Sequence, residues 1–311
     1  MTHSFTLVEK KQALFYVNPF LDYYRTMIYT KLTAYAHLMR LERPIGSLLL
    51  AWSSLWGLWL AGEGHPPAFI TAVILLGTWT MRSAGCVFND FADRHFDGRV
   101  ERTQQRPLAK GTVSALEALL LGIILLALNL WLVLLLNWQS ILFAVICAVL
   151  ALFYPFCKRF FPTPQLVLGF AFASPILMAQ TAILGRITLS GALLFLASVF
   201  WALVYDTYYA VVDREDDLKI GLHSSAIFAQ GYEHRFLASM SGLVLIFLLL
   251  AGFTAGLNHW YYLGVLLAAL LLAFELWHTR RLTRESCARA FSHNNWVGAA
   301  VLLGFVLAYL P

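Results

Sequence analysis

Residues 89–111 read NDFADRHFDGRVERTQQRPLAKG, a stretch with four acidic and five basic side chains. About twenty apolar residues precede it, and a second apolar run of similar length follows, each long enough for a helix to cross a bilayer. The charges therefore gather where two such runs meet. How the chain is built depends on how many runs there are and what lies between them.

The chain has 311 residues, 60% hydrophobic and 13% charged. That composition supplies too little polar surface for a soluble globule. Nine apolar runs predict transmembrane helices, at 44–62, 67–89, 115–136, 139–157, 164–184, 189–212, 236–256, 260–277 and 294–311. The expected fold is all-α and integral to the membrane. It forms one polytopic domain over 1–311, with 1–43 as a cytoplasmic or interfacial segment and 44–311 holding the nine helices. Residues 22–43 mix Tyr, Leu and Met with Arg25, Lys31 and Arg40, which suits an amphipathic helix lying on the membrane. Lys10 and Lys11 interrupt the start, so a cleavable signal peptide is not expected. The four cysteines lie in or near apolar segments without metal-type spacing and read as small core residues.

Basic residues alternate between the connections. Those before the first run and after the second, fourth, sixth and eighth carry nearly all the Lys and Arg; on the other side, only Arg186 appears. The positive-inside rule then puts the N-terminus and the charged connections in the cytoplasm and the C-terminus opposite. The predicted location is the inner (cytoplasmic) membrane, because no Arg- and Ser-rich transit segment precedes residue 22. Loops at a membrane surface explain the basic side more simply than nucleic acid does, and no obligatory protein partner is evident.

If the second helix runs on through residue 97, about 100° per residue brings Asn89, Asp93, Asp97 and Asp90 to one face at the cytoplasmic mouth, with Arg82 deeper beneath them. Clustered carboxylates repel unless they share a cation, and an all-oxygen cluster of this kind suits Mg²⁺. YDTYYAVVDREDDLKIG, residues 205–221, repeats the arrangement: Asp213 and Asp217 are spaced as Asp93 and Asp97 are, and Asp206 lies seven residues before Asp213. The 120 residues from Asp93 to Asp213 suggest two pseudo-repeated four-helix halves plus one helix around a central cavity. Two facing metal sites would bracket a diphosphate, with Arg82, Lys158, Arg159, Arg102 and Arg106 as its basic partners. Apolar walls imply that the diphosphate heads a long hydrocarbon tail lying in the lipid bilayer.

NDFADRHFD with DGRVERTQQRPLAKG resembles the first signature of the UbiA family of intramembrane prenyltransferases, and VDREDDLKIG resembles the second. RLERPIGSLLLAW, TWTMRSAGCVFND, YPFCKRFFPTPQLVLG and WALVYDTYYAVVDREDDLKIG are similar to the branch of that family acting on 4-hydroxybenzoate in ubiquinone biosynthesis. The resemblance implies nine helices around a cavity and Mg²⁺-dependent transfer of a prenyl group from polyprenyl diphosphate to the ring of 4-hydroxybenzoate. By position it implies metal and diphosphate roles for Asn89, Asp93, Asp97, Asp213 and Asp217, and a diphosphate contact at Lys158. It also implies catalytic places for Tyr154 and Asp206 and an acceptor contact at Arg43. The alternatives are another acceptor within the same family (menaquinone, haem or homogentisate branch) and, more remotely, a cation transporter.

Overall fold

The computed structural model describes residues 19–97 and 103–310. Eleven helices follow in order among these residues: α1 Pro19–Leu38, α2 Ile45–Ala61, α3 Ala68–Asp97, α4 Ala115–Val133, α5 Trp138–Cys157, α6 Pro164–Leu184, α7 Leu189–Ile220, α8 Ser225–Phe228, α9 Glu233–Thr254, α10 His259–His278 and α11 Arg284–Ala308. No strand occurs among the described residues. Eight of the helices, α3 to α7 and α9 to α11, are long and apolar enough to cross a bilayer. The chain is an integral membrane protein.

The expected count of nine holds only in part. The first run, 44–62, forms the 17-residue α2, about 25 Å long at 1.5 Å per residue and short for a span. Pro44 fixes its start, and the turn through Gly62, Glu63 and Gly64 stops it. The last helix begins ten residues before the expected 294, at Arg284. There the Thr283 side chain accepts the Ser286 N–H and opens the helix, which a hydropathy reading does not register. The polar stretch Ser292-His293-Asn294-Asn295 broke the apolar run in sequence but lies within this helix. Asn294 accepts a hydrogen bond from Trp201 at 2.8 Å and donates to Glu275 at 2.7 Å; Asn295 accepts one from Trp52 at 2.7 Å.

Each span packs on its chain neighbour in the pairs α3–α4, α5–α6, α6–α7, α7–α9 and α10–α11, and α2 packs on α3, α6 and α11. The larger core, from α2, α6, α7 and α9 to α11, centres on Trp56 and Trp201, stacked with centroids 4.8 Å apart. The α10–α11 crossing is close: a Cβ built on Gly264 would lie 2.6 Å from Gly304 Cα and 2.7 Å from the Ala300 carbonyl. Small residues let helix backbones approach in this way where lipid provides no hydrophobic drive for association. Outward-facing Ile124, Trp131, Leu142, Phe253 and Leu270 are exposed because lipid is their solvent.

A helix does form where the amphipathic segment 22–43 was expected, as α1. Ala34 and Leu38 are buried against α3, while Tyr24, Ile28, Tyr29 and Leu32 stay exposed. Lys31 ties α1 to α4 through Glu117 at 2.7 Å, and Tyr35 donates to the same carboxylate at 2.9 Å. That shared carboxylate raises the pKa of both Lys31 and Tyr35 above their ordinary values.

Candidate active site

A cavity of about 1160 Å³ opens between α1, α2, α3, α5, α6, α7 and α11. Two long helices carry its acids. α3 continues through Asp97 as the sequence reading supposed, so Asn89 and Asp93 sit on its final turns. α7 runs to Ile220 and ends at Gly221 in the left-handed region (φ 71°), where a side chain would be strained, setting Asp213, Asp216 and Asp217 on its last turns. Beyond that stop the chain folds back: the His223 N–H donates to the Lys158 carbonyl at 2.7 Å, and the Ser225 N–H to Gln165 Oε1 at 2.8 Å. These two bonds lock the ends of α5, α6 and α7 together.

Both acidic helix ends face one space. Asn89, Asp93, Asp213 and Asp217 all line the cavity, together with Asp206 and Tyr154. Lys158 Nζ lies over the Tyr154 ring at 5.1 Å from its centroid, as a cation–π contact. Arg82 lines the cavity deeper, eleven residues before Asp93, or about 16 Å along α3. Lys158, Asp206 and Asp213 line the same space. Cations and carboxylates thus interleave from mouth to floor. The lining stops at Leu50, Thr78, Pro175 and Tyr205; Trp201 lies one turn beyond Tyr205, with its indole edge-on to that ring at 5.2 Å.

Of the residues singled out from sequence, Asn89, Asp93, Asp213, Asp217, Lys158, Arg82, Tyr154, Asp206 and Arg43 all line this one cavity. Arg159 does not; it is exposed and lies over the Phe156 ring at 5.5 Å. Arg102 and the Asp97 side chain lie outside the described residues. Tyr208 is fully buried in the core, while Tyr205 and Tyr209 reach the cavity. Glu215 faces outward and pairs with Arg284 at 2.8 Å. Sequence reasoning missed Asp216, Gln165 and Arg40, which also line the space. The DREDD string did advertise Asp216; Gln165 and Arg40 lie within PTPQLVLG and RLERPIG, but no spacing there ties them to the acids.

Among the described residues, no group of three or more His, Cys, Asp or Glu is arranged to hold a metal by itself. The donors are oxygens divided between two helix ends. That set fits an ion which takes one or two carboxylates and fills its other positions with water and phosphate oxygens, the habit of Mg²⁺.

The all-helical membrane fold thus sets two carboxylate-bearing helix ends over a basic, aromatic chamber. A sequence profile described as the UbiA prenyltransferase family matches residues 50–299, and the chain belongs to that family. A 4-hydroxybenzoate octaprenyltransferase of Alkalilimnicola ehrlichii is 46% identical over 273 residues, covering 88% of this chain and 93% of that protein. One from Coxiella burnetii is 46% identical over 275 residues, covering 88% and 96%. Among solved structures, a UbiA homologue from Aeropyrum pernix superposes with a TM-score of 0.75 at 23% identity, covering 86% of this chain and 99% of that one. A UbiA homologue from Archaeoglobus fulgidus bound to GPP and Mg²⁺ gives a TM-score of 0.70 at 18% identity, covering 89% and 99%. These share the fold.

Proposed function

We propose that the chain transfers a polyprenyl group from polyprenyl diphosphate to the ring carbon ortho to the hydroxyl of 4-hydroxybenzoate, with Mg²⁺, in ubiquinone biosynthesis. The observation that carries this is the meeting of Asn89 and Asp93 with Asp213 and Asp217 on one cavity that also holds Arg82, Lys158 and Asp206. The identity to the octaprenyltransferases supports the choice of acceptor. The charged connections face the cytoplasm of the inner membrane, with the C-terminus opposite.

In this reading Asn89, Asp93, Asp97, Asp213 and Asp217 hold Mg²⁺, which when bound neutralises the diphosphate and makes it a better leaving group. Lys158 and Arg82 complete that neutralisation. The allylic C–O bond breaks with its electron pair leaving on the diphosphate. The resulting allylic cation lies against the Tyr154 and Tyr205 rings, which are electron-rich and exclude water. Arg43 pairs with the acceptor carboxylate and sets the ring's direction. Asp206 draws on the phenolic proton, raising electron density at the ortho carbon, which attacks the cation. A new C–C bond forms, and the departed diphosphate takes the ring proton, which restores aromaticity.

The test is a membrane preparation of the chain with labelled 4-hydroxybenzoate and a polyprenyl diphosphate, with Mg²⁺ or with EDTA. Prenylated product with Mg²⁺ and none with EDTA is expected. Absence of product in both would refute the assignment, and equal product in both would refute the metal requirement.

A further inference from the structure

Asp90 stands within the first acidic motif, between Asn89 and Asp93, and by position counts as one more carboxylate for a metal. The structure puts it to another use. Its side chain is 1% exposed and lies between two arginines drawn from different parts of the chain. Arg40 Nη2, just past the end of α1, donates to both Asp90 oxygens at 2.9 Å each. Arg106 Nη1, from the connection between α3 and α4, lies 2.9 Å from Oδ1. Two cations on one buried carboxylate leave it little capacity to ligate anything else. The trio carries a net charge of +1, and all three residues line the cavity.

The two partners are set differently. Arg40 has φ 59°, a left-handed conformation that costs a non-glycine residue on the order of 1–3 kcal/mol and persists only where its surroundings over-determine it. Here the determinants are the Asp90 contact and a hydrogen bond from Arg40 Nη1 to the His37 carbonyl at 2.9 Å. Arg106 sits in a compact turn: its N–H donates to the Thr103 carbonyl and its own carbonyl accepts from Lys110, both at 2.9 Å. Their side chains are only 21% and 14% exposed, so neither is an idle surface charge.

We propose that Asp90 is a positioning residue and not a metal ligand: it fixes Arg106 and Arg40 at the cavity rim, where Arg106 meets the diphosphate end of the substrate. This rests on the diphosphate reading given above. Neutralising Asp90 has two opposed effects. Losing a negative charge makes the rim more positive and favours an anion; losing the clamp lets both arginines swing away to water and destroys their aim. The sign of the change in affinity therefore decides between a clamp and a mere electrostatic brake.

The experiment uses the purified full-length protein in lipid nanodiscs and isothermal titration with geranyl diphosphate and Mg²⁺, without acceptor. Asp90→Asn should weaken geranyl diphosphate binding about tenfold, equivalent to about 1.4 kcal/mol, and leave the half-saturating Mg²⁺ concentration unchanged. Asp93→Asn should raise that Mg²⁺ requirement. Because Asp90 acts through Arg106, Asp90→Asn/Arg106→Gln should bind no more weakly than Arg106→Gln alone. Tighter binding by Asp90→Asn, a Mg²⁺ shift like that of Asp93→Asn, or additive losses in the double variant would each overturn the assignment. Should Asp90→Asn not fold, Arg106→Gln is expected to weaken binding at least tenfold, and unchanged binding in that variant would overturn it equally. Wild-type protein that binds geranyl diphosphate but makes no product from 4-hydroxybenzoate removes the acceptor reading and leaves the Asp90 role standing. Wild-type protein that binds no diphosphate removes both.

Discussion

Asn294→Leu is expected to lower the unfolding free energy by about 3 kcal/mol, or roughly a hundredfold in the equilibrium constant. Asn294 is fully buried in α11. It accepts from Trp201 Nε1 at 2.8 Å and donates to Glu275 Oε2 at 2.7 Å and to the Ala290 carbonyl at 3.0 Å. Leucine has the same number and branching of heavy atoms, so no cavity opens and the polar terms dominate. A neutral interhelical hydrogen bond inside a membrane protein contributes about 0.6 kcal/mol, with a ceiling of about 1.7. A bond to a carboxylate contributes about 1.5–3 kcal/mol. Glu275 keeps His293 at 3.1 Å, which limits the loss by sparing that carboxylate full isolation. Better helix propensity of leucine returns a few tenths of a kcal/mol. The measurement is reversible unfolding in mixed micelles followed by far-UV circular dichroism, with Trp201→Phe, expected at about 1 kcal/mol, as the comparison. A loss under about 1 kcal/mol, or one no larger than that of Trp201→Phe, would refute the claim that Asn294 holds α7, α10 and α11 together.

Lys158→Met removes the cation over the Tyr154 ring and should raise KM for polyprenyl diphosphate at least tenfold, the loss of one charge-assisted bond of about 1.5–3 kcal/mol; an unchanged KM in steady-state assays would contradict its role. Asp206→Asn should retain prenyl diphosphate binding while lowering kcat by about a hundredfold, the contribution typical of a positioned acid or base, and unchanged turnover in purified enzyme would rule that role out. Gly264→Val forces a side chain against the Gly304 backbone and the Ala300 carbonyl, which cannot give way as a side chain tip can. It should cost about 1–3 kcal/mol and lower Tm, whereas Gly242→Ala, with nothing within 4 Å of the added Cβ, should leave Tm in place.

The acidic mouths were legible because the two signals coincide: apolar runs fix helix direction, and the i, i+4 spacing of Asp93 with Asp97 and of Asp213 with Asp217 fixes a helix face. Together these place the acids on one side of the membrane with Arg82 below, as the cavity shows for Asp93, Asp213, Asp217 and Arg82. What escaped was pairing at long range. Asp90 shares the motif's face on a helical wheel, and only coordinates show that Arg40, fifty residues earlier, has already occupied it. Gln165 escaped for the same reason, since its partner is a backbone N–H sixty residues away. The start of α11 was misplaced because Arg284, Glu285, Arg289 and His293 precede the apolar run and hydropathy stops at them, whereas the helix that Thr283 opens runs through them.

A vestibule lined with charge and reaching toward the middle of a bilayer is half of an ion leak. Its lining ends at Leu50, Thr78, Pro175 and Tyr205, and beyond it the Trp56–Trp201 indole pair is packed to zero exposure. Between that lining and the indoles, polar side chains pair with one another, Ser53 with Ser198 at 2.8 Å and Ser54 with Thr78 at 2.9 Å. The stacked rings thus act as electrical insulation. They let ionic chemistry proceed within the membrane while the gradient across it is kept from discharging through the enzyme.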